Sequence, residues 1–416
     1  MRLEQYSIGV GDRFGHQGAA QLRALELAAE KGVSIVPVWN KSFREHTIVG
    51  TNPGNARAAA DRAVRERGWK QSYYIDADHI GLKNVDLFLE SSSFYTLDVA
   101  DFIGKAASES ELSSFVSAMK PYMSEFPIPG VQTTTAVTEH DLAAIGRKYL
   151  FAVQEAGRIY RHIAEKKGAE NFVAEVSTDE ANEPQTPAQL FFILAALARE
   201  GVRVQTIAPK FTGSFLKGID YVGDVGKFAT EFEEDLVVIA HAIKTFKLPD
   251  NLKLSVHSGS DKFSLYPVIH RAIKKHHAGL HLKTAGTTWL EELIGLAASG
   301  GEGLALAQEV YRIAYERIDE LCKPYETVIH IDRSKLPAPQ AVRSWESKEY
   351  VSALRHNQAD PKYNLHVRQL LHIGYKVAAE MGDRYLTMLD RAKEVIGQNV
   401  TENLYQRHIV PLFLGS

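Results

Sequence analysis

Residues able to do acid–base or metal chemistry gather where short β-rich runs of the sequence end. His257 follows one such run, Glu175 lies in another, and the pair Asp78 and His79 follows a third. Imidazole and carboxylate groups bind Zn²⁺, Mn²⁺, Ni²⁺, Co²⁺ or Fe²⁺, and they also transfer protons. No short spacing such as His-x-x-x-His marks a metal site, so this interpretation depends on the side chains converging in the folded chain.

A recurring unit of the sequence would position these residues: a β-rich run, a polar cluster and then a helical segment. The predicted runs are 6–10, 34–38, 72–75, 94–97, 171–176, 202–208, 252–256 and 280–283. Eight such units are what a closed (β/α)8 barrel requires. We therefore predict a TIM-type barrel over residues 1–324 and a mainly helical C-terminal extension over 325–416, packed on the barrel, with a short strand at 327–331. The alternative is an open doubly wound sheet, but Gly9 and Gly11 lack the third glycine of a dinucleotide loop.

Side chains alternate along a strand, and this periodicity indicates which of the reactive residues share a face. His257 in the seventh run is expected to face the barrel axis, as are His281 and Lys283 in the eighth. Glu175 in the fifth run would face the same axis. An unpaired buried ammonium is costly, so Lys283 is either catalytic or paired with a carboxylate such as Asp76 or Glu175.

Other polar residues near the predicted strand ends could hold a substrate. The candidate substrate-binding residues are Arg13, Lys41, Lys210, Asp261 and Lys262. The cations among them suit a carboxylate or phosphate group. Each candidate also has an ordinary interpretation as a surface charge. The same holds for the 16 histidines, most of which must lie at the surface or in satisfied core positions.

The composition argues against several classes of partner. The formal net charge is −3 and no basic block is present, which argues against nucleic acid and anionic membranes. No run of about 20 apolar residues could span a bilayer. The single cysteine, Cys322, cannot form an internal disulfide, and the first residues do not resemble a signal peptide. We therefore expect a cytoplasmic protein. The sequence is also compatible with a homo-oligomer.

Several segments of the chain resemble the tagaturonate/fructuronate epimerase family. They are GDRFGHQG (11–18), YIDADHI (74–80), EVSTDE (175–180), HSGSDKFS (257–264), HLKTAGTTWLEE (281–292) and the terminal ENLYQRHIVPLF (402–413). The resemblance implies a divalent-metal enzyme of hexuronate catabolism that interconverts D-tagaturonate and D-fructuronate. It also allows the matching neutral ketohexoses, tagatose and fructose, as substrates.

At the matching positions, the resemblance also implies roles for individual residues. The implied metal ligands are His79, His257 and His281. Asp78 and Glu175 would be the proton-transfer pair, although Glu175 could bind the metal instead. Lys283 could stabilise negative charge that develops on the substrate, or could form a Schiff base in an enzyme without metal.

Inversion of a carbon beta to a ketone is a chemical problem, because the carbonyl does not acidify the C–H bond at that position. A retro-aldol route fits better. A base removes the proton of the hydroxyl on the carbon to be inverted, and the C3–C4 bond breaks to give an enediolate and an aldehyde. The aldehyde turns over and the bond reforms on its other face. A route through bound nicotinamide lacks a glycine fingerprint.

Two other functions are compatible with the same residues. A class II-type aldolase or a sugar isomerase would use similar metal chemistry, and the aldolase would release free aldehyde. A non-catalytic sugar-acid-binding protein would bind its ligand without turnover and would be insensitive to EDTA. Clustered acids and histidines argue against the binding protein, because perturbed titratable groups are typical of catalytic sites.

Overall fold

The computed structural model describes residues 1–133, 136–257 and 260–415, and its centre is a closed barrel of eight parallel strands. The strands are β1 (Tyr6–Gly11), β2 (Val36–Ser42), β3 (Tyr74–Ile80), β4 (Phe94–Asp98), β5 (Val173–Ser177), β6 (Val204–Ala208), β7 (Lys253–His257) and β8 (Leu280–Ala285). Each strand pairs with the next, and β8 pairs with β1 to close the barrel. The predicted (β/α)8 fold is therefore confirmed.

Helices connect the strands on the outside of the barrel. They are α1 (Gly18–Glu30), α2 (Phe43–Val49), α3 (Pro53–Arg67), α4 (Glu109–Met119), α5 (Glu139–Lys167), α6 (Pro187–Arg199), α7 (Val225–Phe246), α8 (Tyr266–Lys275) and α9 (Thr288–Ala298). Asn52, Thr138 and Thr186 each accept a hydrogen bond from the backbone three residues on, and so cap α3, α5 and α6. Such side-chain caps satisfy backbone N–H groups that have no partner inside the helix.

All strands except β6 extend further toward their carboxyl ends than the sequence predicted. The third run was expected to end at residue 75, but β3 continues through Asp76, Asp78 and His79 to Ile80. The pairing of β3 with β4 shifts between Ala77 and Ile80, and His79 has a φ of 51°. A bulge of this kind redirects the side chain it carries. The polar residues therefore belong to the strand and face the mouth of the barrel.

The residues after α9 form a mainly helical extension. Its helices are α10 (Gly301–Glu316), α11 (Ile318–Cys322), α12 (Pro339–Arg343), α13 (Ser347–Leu354), α14 (Leu365–Ile373), α15 (Tyr375–Glu380), α16 (Asp383–Arg391), α17 (Lys393–Glu402) and a final π-helix (Asn403–Leu414). Most pack around a second hydrophobic cluster that begins at Trp289 on α9. The π-helix returns to the barrel core through Leu404, Ile409 and Phe413.

One predicted element of the extension was wrong: residues 327–331 form no strand. Ile329 is buried in the second cluster, and the Val328 carbonyl accepts a bond from the Lys217 backbone N–H. The apolar character of this segment therefore reflects packing rather than strand pairing. Across the described ranges, every helix is too short or too polar to cross a bilayer.

Candidate active site

A cavity of about 670 Å³ lies at the carboxyl ends of the strands. Asp78, His79, His257 and Lys283 line it from the strand ends, and residues of the loop after β6 line it from the side. The extension contributes further lining residues, which are Tyr325, Thr327, Val328, His372 and Tyr375. This end of a (β/α)8 barrel is where such enzymes place their active sites.

Lys283 is the centre of a buried ion cluster below the cavity. Its Nζ lies 3.0 Å from Asp76 Oδ2, 2.8 Å from Asp78 Oδ1 and 3.2 Å from Glu175 Oε1. It also donates to Thr96 Oγ1. Burial alone would lower the pKa of Lys283, but the three carboxylates outweigh that effect and hold its pKa well above the ordinary value. Lys283 is therefore a charged, paired ammonium rather than the neutral amine that Schiff-base formation requires.

The two aspartates on β3 differ in proton affinity. Burial raises the pKa of Asp76 to about 7, because the attraction of Lys283 only partly opposes it. Burial acts on Asp78 too, but there Lys283 and His79 outweigh it and lower the pKa. Neighbouring carboxyl groups with divergent pKa values are a common feature of acid–base sites. Of the two, Asp78 lines the cavity.

His257 is held between two carboxylates. Its Nε2 lies 2.8 Å from Glu175 Oε1, and its Nδ1 lies 3.2 Å from Asp179 Oδ2. Burial would lower the pKa of His257, but Asp179 and Glu175 outweigh burial and raise it to about 10. Glu175 is fully buried, accepts a 2.8 Å bond from Thr206 Oγ1, and lies behind His257 rather than on the cavity surface.

His79 lies beside His257, with 5.5 Å between the ring centroids. Its Nδ1 is 3.0 Å from Asp98 Oδ2, and its Nε2 is 3.7 Å from Asp78 Oδ1. Burial would lower the pKa of His79, but Asp78 and Asp98 raise it to about 9. The two imidazoles thus occupy a region where the surrounding carboxylates stabilise positive charge.

His281 faces the barrel axis, as predicted, but it lies one layer deeper than these two histidines. It pairs across β7 and β8 with Ser255, whereas Lys283 pairs with His257. Its Nδ1 is 2.9 Å from Ser7 Oγ, and burial lowers its pKa to about 3. The structure therefore does not bring His281 to the cavity surface with His79 and His257.

Two of the predicted substrate-binding cations, Arg13 and Lys210, line the cavity. The Arg13 guanidinium lies 3.1 Å from Glu45 Oε1 and 4.5 Å from the centre of the Tyr375 ring. Lys41 does not line the cavity. Its Nζ donates a 2.7 Å bond to the Arg13 carbonyl, so it supports the backbone of a residue that does.

Asp261 and Lys262, also predicted to bind substrate, are fully buried away from the cavity lining. Asp261 accepts a 2.5 Å bond from Arg368 and lies 3.1 Å from both His356 and His408. All three partners come from the extension. Asp261 therefore connects the loop after β7 to the extension. Ser258 and Gly259 of the resembling segment lie outside the described residues.

Sequence reasoning missed several residues of the cavity. Asp179 belongs to a segment quoted for its resemblance, and its position two residues after β5 could have identified it. Lys217, Tyr325, His372 and Tyr375 carried no such signal. They come from a long loop and from the extension, and only the folded chain brings them to the barrel mouth.

The donors at the cavity fit a divalent cation in chemistry, although no group of three or more His, Cys, Asp or Glu side chains is prearranged for one in residues 1–133, 136–257 and 260–415. His257 Nδ1 is buried and has no well-aligned hydrogen bond to another described residue. Asp98 engages His79 Nδ1, which leaves Nε2 as the donor atom. A carboxylate behind a metal-binding histidine is a common arrangement.

Comparison with known proteins places the chain near one group of enzymes. A family model described as tagaturonate epimerase matches residues 1–410. A tagaturonate/fructuronate epimerase from Thermotoga maritima is 28% identical over 418 residues, which cover 97% of this chain and 80% of that protein. The glycerol-bound crystal structure of a fructuronate-tagaturonate epimerase from Cohnella laeviribosi gives a TM-score of 0.80 at 25% identity, covering 99% of this chain and 82% of that chain. The native structure of the Cohnella enzyme gives 0.78 at 25% identity, with the same coverage.

Proposed function

Because this chain belongs to the tagaturonate epimerase family and is a carbohydrate epimerase, we propose that it interconverts D-tagaturonate and D-fructuronate in the cavity at the barrel mouth. The observation that carries this proposal is the division of charge around the cavity. Most acidic and imidazole residues of the lining lie at or just after the ends of β3, β4, β5 and β7: Asp78, His79, Asp98, Asp179, Glu180 and His257. Lys283 lies among them, paired with Asp78. The other basic residues of the lining are Arg13, Arg44, Lys210 and Lys217. Glu45, which pairs with Arg13, and His372 also line the cavity. A hexuronate also has two distinct ends. Its hydroxyketone could bind a cation held by the acidic and imidazole residues, and its carboxylate suits the basic residues.

The proposal includes a divalent cation, Zn²⁺, Mn²⁺, Ni²⁺, Co²⁺ or Fe²⁺, which would be held by His79 and His257 together with Asp179. When bound, such an ion would act as a Lewis acid toward the ketone and adjacent hydroxyl of the substrate. The carboxylates beside the two imidazoles support it, because Asp98 lies 3.0 Å from His79 and Asp179 lies 3.2 Å from His257, where they would stabilise a bound cation.

The retro-aldol route can be assigned to residues of this chain. Asp78 is ionised and lines the cavity, so it would take the proton of the hydroxyl on the carbon to be inverted. The C3–C4 bond then breaks, its electron pair passes into the enediolate, and the former alcohol carbon becomes an aldehyde. The Lys283 ammonium, 2.8 Å from Asp78, would stabilise the ionised form of this carboxyl group before the transfer.

After the aldehyde turns over, its oxygen faces the opposite side of the cavity and must regain a proton there. Glu180 lines the cavity and burial raises its pKa, so its protonated carboxyl group would supply that proton, and solvent exchange would then restore both carboxyl groups. Glu175 would act by positioning His257 from behind. A positioned acid and base contribute about 10²–10⁴-fold to such a reaction.

Removal of metal is expected to lower the epimerisation rate by at least about 100-fold, because metal polarisation of a carbonyl is worth several kcal/mol. The protein is treated with EDTA, its metal content is measured, and both epimers are followed by chromatography with tagaturonate and with tagatose. Mn²⁺, Ni²⁺ or Zn²⁺ should restore the rate and raise the melting temperature. Full activity in protein shown to be free of metal would contradict the proposed cofactor.

Epimerisation in D₂O is expected to leave the hydrogen on the inverted carbon unexchanged. Cleavage and reformation of C3–C4 keeps that C–H bond intact, whereas deprotonation of the carbon would bring in solvent deuterium. Mass spectrometry of the product distinguishes the two routes. Free aldehyde should stay at trace level, and stoichiometric release of aldehyde would instead indicate an aldolase.

A further inference from the structure

We propose that Lys217 binds the substrate carboxylate and determines the preference for a hexuronate over a neutral sugar, and that the segment 216–219 is built to hold it. This inference rests on the proposed hexuronate substrate. Lys217 lies in the loop after β6, which has no catalytic role in the route above, and its side chain lines the cavity.

The backbone around Lys217 is fixed by the C-terminal extension. Its N–H donates a 2.8 Å bond to the Val328 carbonyl, and its own carbonyl accepts a 3.3 Å bond from the Gln369 side chain. The next carbonyl, that of Gly218, accepts a 2.5 Å bond from Arg368 Nε. Three contacts on two consecutive residues leave this backbone little freedom.

Lys262 holds the two ends of the same segment. Its Nζ donates to the carbonyls of Leu216 at 2.9 Å and Ile219 at 2.7 Å, and also to that of Ser260 at 2.8 Å. Lys262 is fully buried, as is Arg368. Burying a cation is costly, yet Lys262 and Arg368 both donate to main-chain carbonyls of the four-residue segment 216–219. Such preorganisation lowers the entropy lost when a ligand binds.

The Lys217 ammonium differs from the arginines beside it. Arg13 is paired with Glu45, and Arg44 lies over the Tyr325 ring at 4.7 Å. Lys217 is half-buried with its Nζ 6.0 Å from the centre of the Tyr325 ring, and among the described residues its Nζ has neither a hydrogen bond nor an ion pair. A partly buried ammonium on a fixed backbone therefore has no anion among the described residues, and a substrate carboxylate would supply one.

Binding of D-galactonate to the metal-free protein tests this inference without turnover. Calorimetry should give an affinity about 10- to 100-fold weaker for Lys217→Met than for the unchanged protein, the range expected for loss of a charged hydrogen bond. Galactitol, which lacks the carboxylate, should bind both proteins alike. Lys31→Met, a change at an exposed lysine, should leave both affinities unchanged.

Kinetics on the metal-loaded enzyme give a second readout. Lys217→Met should raise KM for tagaturonate about 10- to 100-fold with kcat within a few-fold, and should leave kcat/KM for tagatose unchanged. Equal losses on both substrates, or unchanged galactonate affinity, would overturn the inference. If galactonate binding depends on Lys217 but neither sugar is epimerised, the proposed function fails and the carboxylate site stands. If epimerisation is normal and Lys217→Met has no effect, only the inference fails.

Discussion

Replacement of Lys283 by Met is expected to destabilise the fold by about 3–5 kcal/mol and to abolish epimerisation, because it removes one partner of a buried ion cluster. Asp76, Asp78 and Glu175 share this ammonium within 3.2 Å, and Lys283 is 1% exposed. Met has nearly the volume of the lysine stem, so the loss would come from uncompensated carboxylates rather than from a cavity. Urea denaturation of the purified variant measures the change.

Two comparisons make this prediction specific. The double variant Lys283→Met/Glu175→Gln should regain part of the lost stability but no activity, because one fewer carboxylate is left without its cation. Lys253→Met is the matched control, since Lys253 is buried at the start of β7 and donates to the carbonyls of Leu3 and Glu4. It should keep activity. Stability of Lys283→Met within about 1 kcal/mol of the parent would show that the cluster is not the charge-paired unit described above.

The sequence predicted the barrel well because the barrel depends on repeated local patterns. Eight β-rich runs separated by helical segments were enough to indicate the topology. The strand ends were less predictable. A charged residue normally ends a strand, but here the inner face of the barrel mouth is polar and β3 continues through its aspartates.

Only one aspect of the candidate site could be predicted, namely which strand residues face the barrel axis. Period-two alternation correctly oriented His257, His281 and Lys283 toward the axis, but it carries no information on depth. Depth depends on the stagger of neighbouring strands around the barrel, which is a property of the closed sheet. For this reason the sequence could not separate His257, which lines the cavity, from His281, which lies a layer below.

The basic residues of the cavity were the least predictable part, because contacts distant in sequence position them. The sequence position of Lys262 near a strand end indicated a substrate-binding cation. Its ammonium instead donates hydrogen bonds to carbonyls of the loop after β6. Lys217, which those contacts help to position, belongs to no motif. Its place in the cavity depends on Val328 and Arg368, more than 100 positions away in the chain.

His257→Gln is expected to lower kcat about 10³-fold and to remove the rise in melting temperature on addition of Mn²⁺, because the variant lacks one of the proposed metal ligands. A 10³-fold loss corresponds to about 4 kcal/mol of transition-state stabilisation, within what a catalytic metal supplies. Differential scanning fluorimetry with and without metal measures the thermal shift independently of turnover.

His281→Gln separates the two predicted ligands that the structure places at different depths. The His281 ring is hydrogen-bonded to Ser7 and packs against Phe94, with 5.3 Å between the ring centroids. The variant should therefore lose about 1–3 kcal/mol of stability, because a buried hydrogen bond is disturbed. It should nevertheless keep the metal-dependent thermal shift that His257→Gln loses. If His281→Gln lost the metal-dependent thermal shift to the same extent as His257→Gln, this deeper imidazole would belong to the coordination sphere. The side chains of β8 would then have to move toward the mouth of the barrel when the ion binds.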